Sequence, residues 1–190
     1  MTRTRAACRL APALGLLALL LAVRAPAEPR LYLVDPEHSQ IRFHAVSRFM
    51  DADGSFRRFG GEVRLDEARP ETVSARLTVE VASLDTGIGL RDRHLRSDDF
   101  FDVERHPQAT FVTSAVRREG ERFIVSGDLT IRGVARAIAV PVTVTGAEGA
   151  IRIVGEFVLN RQEFGVAYRS LLNPIRDDVK VWFDLTARAR

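Results

Sequence analysis

Alternation of apolar and polar residues runs through most of this chain and limits how it can fold. In "TVSARLTVEVAS", Thr72–Ser83, apolar side chains occupy every second position from Val73 to Val81, and polar ones fill most of the positions between. Successive side chains of a β-strand point to opposite faces of the sheet. A period of two therefore predicts a strand with one dry face and one wet face.

The same pattern predicts eight further strands, joined in places by short turn-like pieces such as "EGE" and "GAEG". A parallel sheet would need helical crossovers and strands buried on both faces. The pattern therefore predicts an all-β antiparallel sheet, closed into a barrel or folded as a sandwich. The further strands are predicted at residues 31–35, 40–46, 56–65, 109–117, 122–131, 138–144, 151–159 and 179–187.

The inward-facing positions of these strands are mainly Val, Leu, Ile and Phe, with hardly a charge among them. Such residues either meet and fill a core or line a cavity that is open to an apolar ligand, as in barrels of about eight strands. A filled core is the more common outcome. Periodicity alone leaves both alternatives open.

The first residues have the organisation of a secretory signal. Basic residues precede an apolar run at Leu10–Val23, and the small-residue sequence "APA" follows at Ala25–Ala27. The run is shorter than the roughly 20 residues that span a bilayer. We therefore expect a cleaved signal peptide at residues 1–27, a single domain at residues 28–190 and no stable membrane anchor.

Removal of this segment changes the charge of the chain. Four arginines and Cys8, the only cysteine, leave with it, so that 24 basic side chains face 25 acidic ones. A net charge of about −1 gives no basis for a nucleic-acid partner. The remaining chain has no thiol, no Gly-x-Ser-x-Gly motif and no glycine-rich phosphate loop, and we expect no cofactor.

One stretch, "TGIGLRDRHLRSDDFFDVERHPQATF", is densely charged. Asp85 or Thr86 is expected to cap a short helix near residues 88–98, and Asp92 and Arg96 have the i,i+4 spacing of an ion pair. Apolar residues on the same stretch are expected to face inward, which makes it a cover beside the barrel. These residues are Leu90, Leu95, Phe100, Phe101 and Val103.

An enzymatic alternative would use the same stretch. Asp92 and His94, with Asp98, Asp99 and His106, offer carboxylates and imidazoles for a metal or for acid–base chemistry. Their spacing matches neither His-Glu-x-x-His nor an EF-hand loop. A structural role for the cluster is therefore favoured over a catalytic or metal-binding role.

Four motifs together resemble the YceI-like family of bacterial periplasmic proteins. In chain order they are "YLVDPEHSQIRF" (Tyr32–Phe43), "ASLDTGIGLRDRHLRSDDFFDVERHPQATF" (Ala82–Phe111), "GDLTIRGVAR" (Gly127–Arg136) and "FVLNRQEFGV" (Phe157–Val166). The resemblance implies an extended, lipocalin-like antiparallel β-barrel in the periplasm. It also implies an apolar channel that holds isoprenoid or fatty-acid-like chains without altering them. Two stretches, "HAVSRFMDADGSF" and "LLNPIRDDVKVWF", depart from the family pattern and are expected to alter one barrel mouth.

The resemblance favours a lined cavity and a non-enzymatic lipid-binding protein. The alternatives are a hydrolase or isomerase that uses Asp92 and His94, and a protein-interaction domain with a filled interior; homodimerisation stays open. Arg91, Asp92, His94, Asn160 and Arg161 are expected to serve the structure or to contact a ligand's polar end, with Asn160 in a tight turn and Arg161 bound to a carboxylate. The predicted channel wall consists of Phe43, Val79, Phe111, Phe123, Val125, Leu129, Phe157 and Phe183.

Overall fold

The structure is a computed structural model, and it describes residues 28–66, 69–147 and 149–190. The predicted signal peptide, residues 1–27, lies outside the described residues. One α-helix, α1 (Gly89–Arg96), and four short 3-10 segments accompany the strands. None of the helices among the described residues is long and apolar enough to cross a membrane. The strands are β1 (Arg30–Val34), β2 (Gln40–Ser47), β3 (Ala52–Phe56), β4 (Phe59–Leu65), β5 (Ser74–Glu80), β6 (Leu84–Asp85), β7 (Gln108–Glu119), β8 (Arg122–Ile131), β9 (Val134–Ala147), β10 (Ala150–Asn160) and β11 (Ile175–Ala189).

Eight of these strands close into a barrel. They follow one another in the order β1, β4, β5, β7, β8, β9, β10 and β11, and every pairing is antiparallel. The ring closes where Tyr32 of β1 pairs with Ala189 of β11. Closure leaves no sheet edge open along the ring. The predicted all-β antiparallel barrel is confirmed, and the sandwich alternative is wrong.

The long strand β11 also belongs to a smaller extension of the sheet, formed by β2, β3 and β6. Its residues 187–189 pair with β1, and its residues 175–184 pair with β2 along the same edge. β3 and β6 then continue the sheet beyond β2. The 3-10 segment Pro36–His38 separates β1 from β2, and the Asp35 carboxylate begins it by accepting from the Glu37 amide at 3.1 Å.

The strand predicted at residues 56–65 is present as β4 (Phe59–Leu65), but its start is wrong, because Phe56 is the last residue of β3. The break falls at Arg57 and Arg58, whose amides donate to the carbonyl (3.2 Å) and the hydroxyl (3.0 Å) of Ser83. Ser83 lies in the 3-10 segment Val81–Ser83 and is distant in sequence. Alternation within residues 56–65 carries no sign of that contact.

The two ends of the barrel differ. The β7–β8 and β9–β10 turns lie at one end, which we call the hairpin end. The side chains of Tyr32, Val63, Ile151 and Ala187 pack there into a buried cluster. At the opposite end, the helix end, lie α1, the β2–β3 turn, the β8–β9 turn and the β10–β11 connection. Arg132, in the β8–β9 turn, donates to the carbonyls of Phe100 (2.7 Å), which follows α1, and Gly165 (2.9 Å), in the β10–β11 connection.

Candidate functional site

A large cavity occupies the interior of the barrel. Its volume is about 1380 Å³, and inward-facing residues of all eight ring strands line it. Most of them are Val, Leu, Ile, Phe and Ala. Small-molecule sites usually measure about 300–1,000 Å³. The interior is thus an apolar cavity, and the filled-core alternative does not describe it.

The structure places all eight residues of the predicted channel wall on this cavity. Their alternation is the reason, because each occupies the inward face of its strand. The rings of Phe43 and Phe56 pack against each other with centroids 5.6 Å apart. Contact of the wall residues with a ligand stays a prediction. They are Phe43, Val79, Phe111, Phe123, Val125, Leu129, Phe157 and Phe183.

Three inward-facing glycines leave room for three of these phenylalanine rings, and they were not predicted from the sequence. Gly155 of β10 is directly opposite Phe183 of β11, and a Cβ atom on Gly155 would lie only 2.7 Å from the ring of Phe183. The ring therefore lies against the neighbouring strand. A glycine inside a strand marks such a close approach, which was the available signal. The three pairs are Phe43 with Gly54, Phe111 with Gly127, and Phe183 with Gly155.

The start of α1 differs from the prediction. Ile88 precedes the helix and makes no side-chain capping bond, so neither Asp85 nor Thr86 is the cap. The buried Asp92 carboxylate instead reaches back and accepts from both the amide (3.0 Å) and the hydroxyl of Thr86. Asp85 accepts from the Gly87 amide at 2.8 Å. That bond, followed by the Arg57 guanidinium, lowers the pKa of Asp85.

The predicted ion pair between Asp92 and Arg96 is wrong. Arg96 donates to the carbonyls of Ala82 (2.9 Å) and Leu84 (2.5 Å). The i,i+4 rule describes exposed helix faces, whereas Asp92 is buried and bonded to Thr86, and Arg96 is bonded to backbone carbonyls. Arg91 donates to the Thr86 hydroxyl and to the Asp51 carbonyl, the latter at 3.0 Å. These bonds fasten α1 over the helix end of the barrel.

Asp92 and His94 have separate partners. The Nε2 atom of His94 lies 2.9 Å from the Asp99 carboxylate. Its ring packs edge-on against Phe100 (5.0 Å between centroids) and Tyr168 (4.9 Å). Among the described residues no hydrogen bond joins Asp92 to His94, so the structure does not bring the two together as an acid–base pair.

Arg161 and Asn160 organise the β10–β11 connection. The buried Arg161 guanidinium donates to the Asp177 carboxylate at 2.9 Å and also to the carbonyls of Val166, Tyr168, Ile175 and Arg176. The Asn160 side chain caps the 3-10 segment Arg161–Phe164 by accepting from the Gln162 amide. Asn160 itself has an extended backbone, and the segment ends at Gly165, whose φ of 75° is left-handed.

The cavity reaches exposed apolar side chains at the helix end. Three of its lining residues are also exposed there: Leu90 (72%), Met50 (60%) and Ile88 (41%). At the hairpin end the apolar lining residues Tyr32, Val63 and Ile151 are at most 7% exposed, and the exposed lining residues there include Arg30, Gly146 and Gly149. Polar groups also line the helix end, and they can contact the polar end of a ligand. They are Arg91, His94, Tyr168, Ser170 and Asn173.

A closed antiparallel barrel around one long apolar cavity defines a lipocalin-like architecture. Residues 32–187 match the YceI-like domain, and the chain belongs to this family. It is 42% identical over 85 residues to a UPF0312 protein of Photorhabdus laumondii, and 36% identical over 93 residues to Protein YceI of Escherichia coli O157:H7. These matches cover 45% and 49% of this chain, and 44% and 49% of the relatives. The chain thus spans about half the length of these curated relatives.

Two solved structures share the fold over most of the chain. BcnA of Burkholderia cenocepacia has a TM-score of 0.75 and 31% identity, covering 80% of this chain and 98% of BcnA. A polyisoprenoid binding domain from Saccharophagus degradans has a TM-score of 0.69 and 20% identity, covering 86% of this chain and all of that domain. At 20% identity the second likeness concerns the fold alone.

Proposed function

We propose that this protein is a non-enzymatic binding protein that holds an isoprenoid or another long-chain amphipathic lipid inside its barrel. The observation that carries the proposal is the apolar cavity of about 1380 Å³. The similar domain from Saccharophagus degradans, which binds polyisoprenoid, supports the same ligand class. Polar groups at the helix end would face the polar end of the ligand.

Burial of the alkyl chain supplies the binding free energy. Each methylene that leaves water for the cavity contributes about 0.8 kcal/mol. A chain of about ten buried carbons therefore binds without any directed polar contact, although lost motional freedom offsets much of this gain. Selectivity for the tail then depends on its length and width, and the few polar groups at the mouth select the head group.

We also propose that residues 1–27 are a cleaved signal peptide and that the protein acts in the periplasm. The basic, apolar and small-residue sections of that segment support this assignment. The mass of the intact chain recovered from the periplasmic fraction tests it. A chain that begins near Glu28 is expected, whereas an uncleaved chain in the membrane fraction would contradict the proposal.

A matched pair of arginine substitutions tests the cavity itself. Val125 lines the cavity, whereas Val158 is 62% exposed. An arginine at position 125 places a charge on the apolar wall, so Val125→Arg should abolish retention of geranylgeraniol, and Val158→Arg should retain it. Bound geranylgeraniol is measured by extraction, and circular dichroism confirms that both variants are folded. Full occupancy in folded Val125→Arg would overturn the proposal.

No observation favours the alternative of a hydrolase or isomerase that uses Asp92 and His94. Asp92 is buried and accepts from Thr86, and the His94 ring is paired with Asp99. These bonds support a structural role for both side chains.

A further inference from the structure

Six large apolar side chains are exposed at the helix end, around the cavity mouth. Leu171 is 98% exposed and Leu172 is 84% exposed. Soluble proteins rarely leave such residues clustered without an interaction partner. We call this set the rim. It consists of Phe49, Met50, Ile88, Leu90, Leu171 and Leu172.

Hydrogen bonds hold the three segments of the rim side by side. The Arg48 amide donates to the Pro174 carbonyl at 3.1 Å, and the Phe49 amide donates to the Asn173 side chain at 3.1 Å. The Arg91 guanidinium, on α1, donates to the Asp51 carbonyl at 3.0 Å. The β2–β3 turn is thus bonded to both the β10–β11 connection and α1, and the rim is one surface.

The rim is continuous with the cavity. Met50, Ile88 and Leu90 belong to both, because each is exposed outside and also lines the interior. An alkyl chain that crosses the rim therefore passes from one apolar surface to the next without entering water. A protein–protein interface would not require the exposed apolar surface to continue into the cavity.

Basic side chains flank the rim residues in the sequence. Arg48, Arg93 and Arg169 are exposed, and within the described part of the chain they form no ion pair. The Arg48 guanidinium packs over the Phe49 ring at 5.2 Å. The neighbouring Asp51 carboxylate accepts from the Ser47 amide and lies 3.9 Å from His44.

Apolar side chains with free arginines beside them suit the interface of an anionic bilayer, where the former insert and the latter meet phosphate groups. A second copy of the rim fits less well, because two rims face to face would bring the unpaired guanidinium groups of both copies together. From the continuity and the charge we infer that the rim docks on an anionic lipid bilayer and that lipid chains pass across it between bilayer and cavity. This inference rests on the proposed function.

Two double variants with the same change of charge test the inference. Leu171→Asp with Leu172→Asp places two acids in the rim, and Val154→Asp with Val158→Asp places two acids on the outer face of β10. Each is purified as the cell processes it and floated with vesicles of phosphatidylethanolamine and phosphatidylglycerol, 3:1. Binding of geranylgeraniol is measured separately, in solution without vesicles.

We expect the wild type and the β10 variant to float with the vesicles and the rim variant to lose at least about tenfold in vesicle affinity. All three proteins should bind geranylgeraniol. Replacement of phosphatidylglycerol by phosphatidylcholine should weaken vesicle binding of the wild type. Equal binding to both kinds of vesicle would show that the arginines do not contribute by binding anionic lipid.

Different results would overturn the inference about the rim and the proposed function. A wild type that binds geranylgeraniol but not vesicles, or a rim variant that floats as well as the β10 variant, overturns the inference and leaves the proposed function intact. A wild type that binds neither geranylgeraniol nor a long-chain fatty acid overturns the proposed function. A dimer in solution that the rim substitutions dissociate would assign the rim to a second copy and also overturn the inference.

Discussion

At the scale of single residues, the width of the cavity depends on positions that have no side chain. The Phe183 ring lies against Gly155, and the Phe43 ring lies against Gly54 in the same way. If these positions carried Cβ atoms, the rings would have to move towards the lumen. The glycines thus keep large apolar rings on the wall while the cavity stays open.

Gly155→Ala is therefore expected to reduce both stability and ligand occupancy. The new Cβ would lie 2.7 Å from the Phe183 ring and 3.1 Å from a Val142 methyl. Overpacking of this kind costs about 1–3 kcal/mol. The control is Gly60→Ala, because a Cβ on Gly60 has no neighbour within 4 Å. Equal free energies of unfolding and equal geranylgeraniol occupancy in the two variants would show that the glycine does not set the width.

The wall residues and the glycines differed in how far sequence could predict them. Alternation placed residues such as Val125 and Phe157 on the inward face, because the side-chain period of a strand is two. Alternation does not predict the function of an inward-facing glycine, because it is a pattern of apolar and polar side chains. The contact between Gly155 and Phe183 depends on the register of β10 against β11, which is a property of the folded sheet.

At the scale of elements, α1 covers the barrel through hydrogen bonds to distant backbone. The sequence predicted a helix near residues 88–98, and the structure has one at Gly89–Arg96. The partners of Asp92 and Arg96 were predicted wrongly, because helix spacing carries no information about Thr86 or Ala82. The break between β3 and β4 escaped prediction for the same reason, since it depends on Ser83.

Asp92→Ala is expected to lower stability by about 1–3 kcal/mol, because the Thr86 amide and hydroxyl would lose their acceptor. Asp98→Ala is the matched control. Asp98 is exposed and its carboxylate has no bond among the described residues, so its removal should stay within about 0.5 kcal/mol. Urea unfolding measures both. Equal losses would show that the bonds to Thr86 do not hold the helix in place.

At the scale of the whole molecule, ion pairs cross the strands that close the barrel. Arg152 of β10 binds Asp184 of β11, and Arg188 of β11 binds Asp35 at the end of β1. The guanidinium in each case holds the pKa of the carboxyl below its usual range. The folded barrel therefore favours the ionised carboxylates more than the unfolded chain does.

This difference predicts an acid-sensitive barrel. Because both folded-state pKa values are depressed, the stabilisation is present above the unfolded value of about 3.9 and is lost as pH falls through the lower folded values. The double variant Asp35→Asn with Asp184→Asn should be less stable than the wild type at pH 7, and the difference should shrink towards pH 2. Urea unfolding across this range measures it. A difference that does not change with pH would contradict the linkage.

If the cavity holds a lipid, the protein isolated from its own host should contain that lipid. The protein is purified from its own host without detergent, and native mass spectrometry is combined with organic extraction. We expect one stoichiometric prenyl or acyl species per barrel, released by the solvent. A ligand-free mass, with no uptake when long-chain lipids are offered, would contradict it.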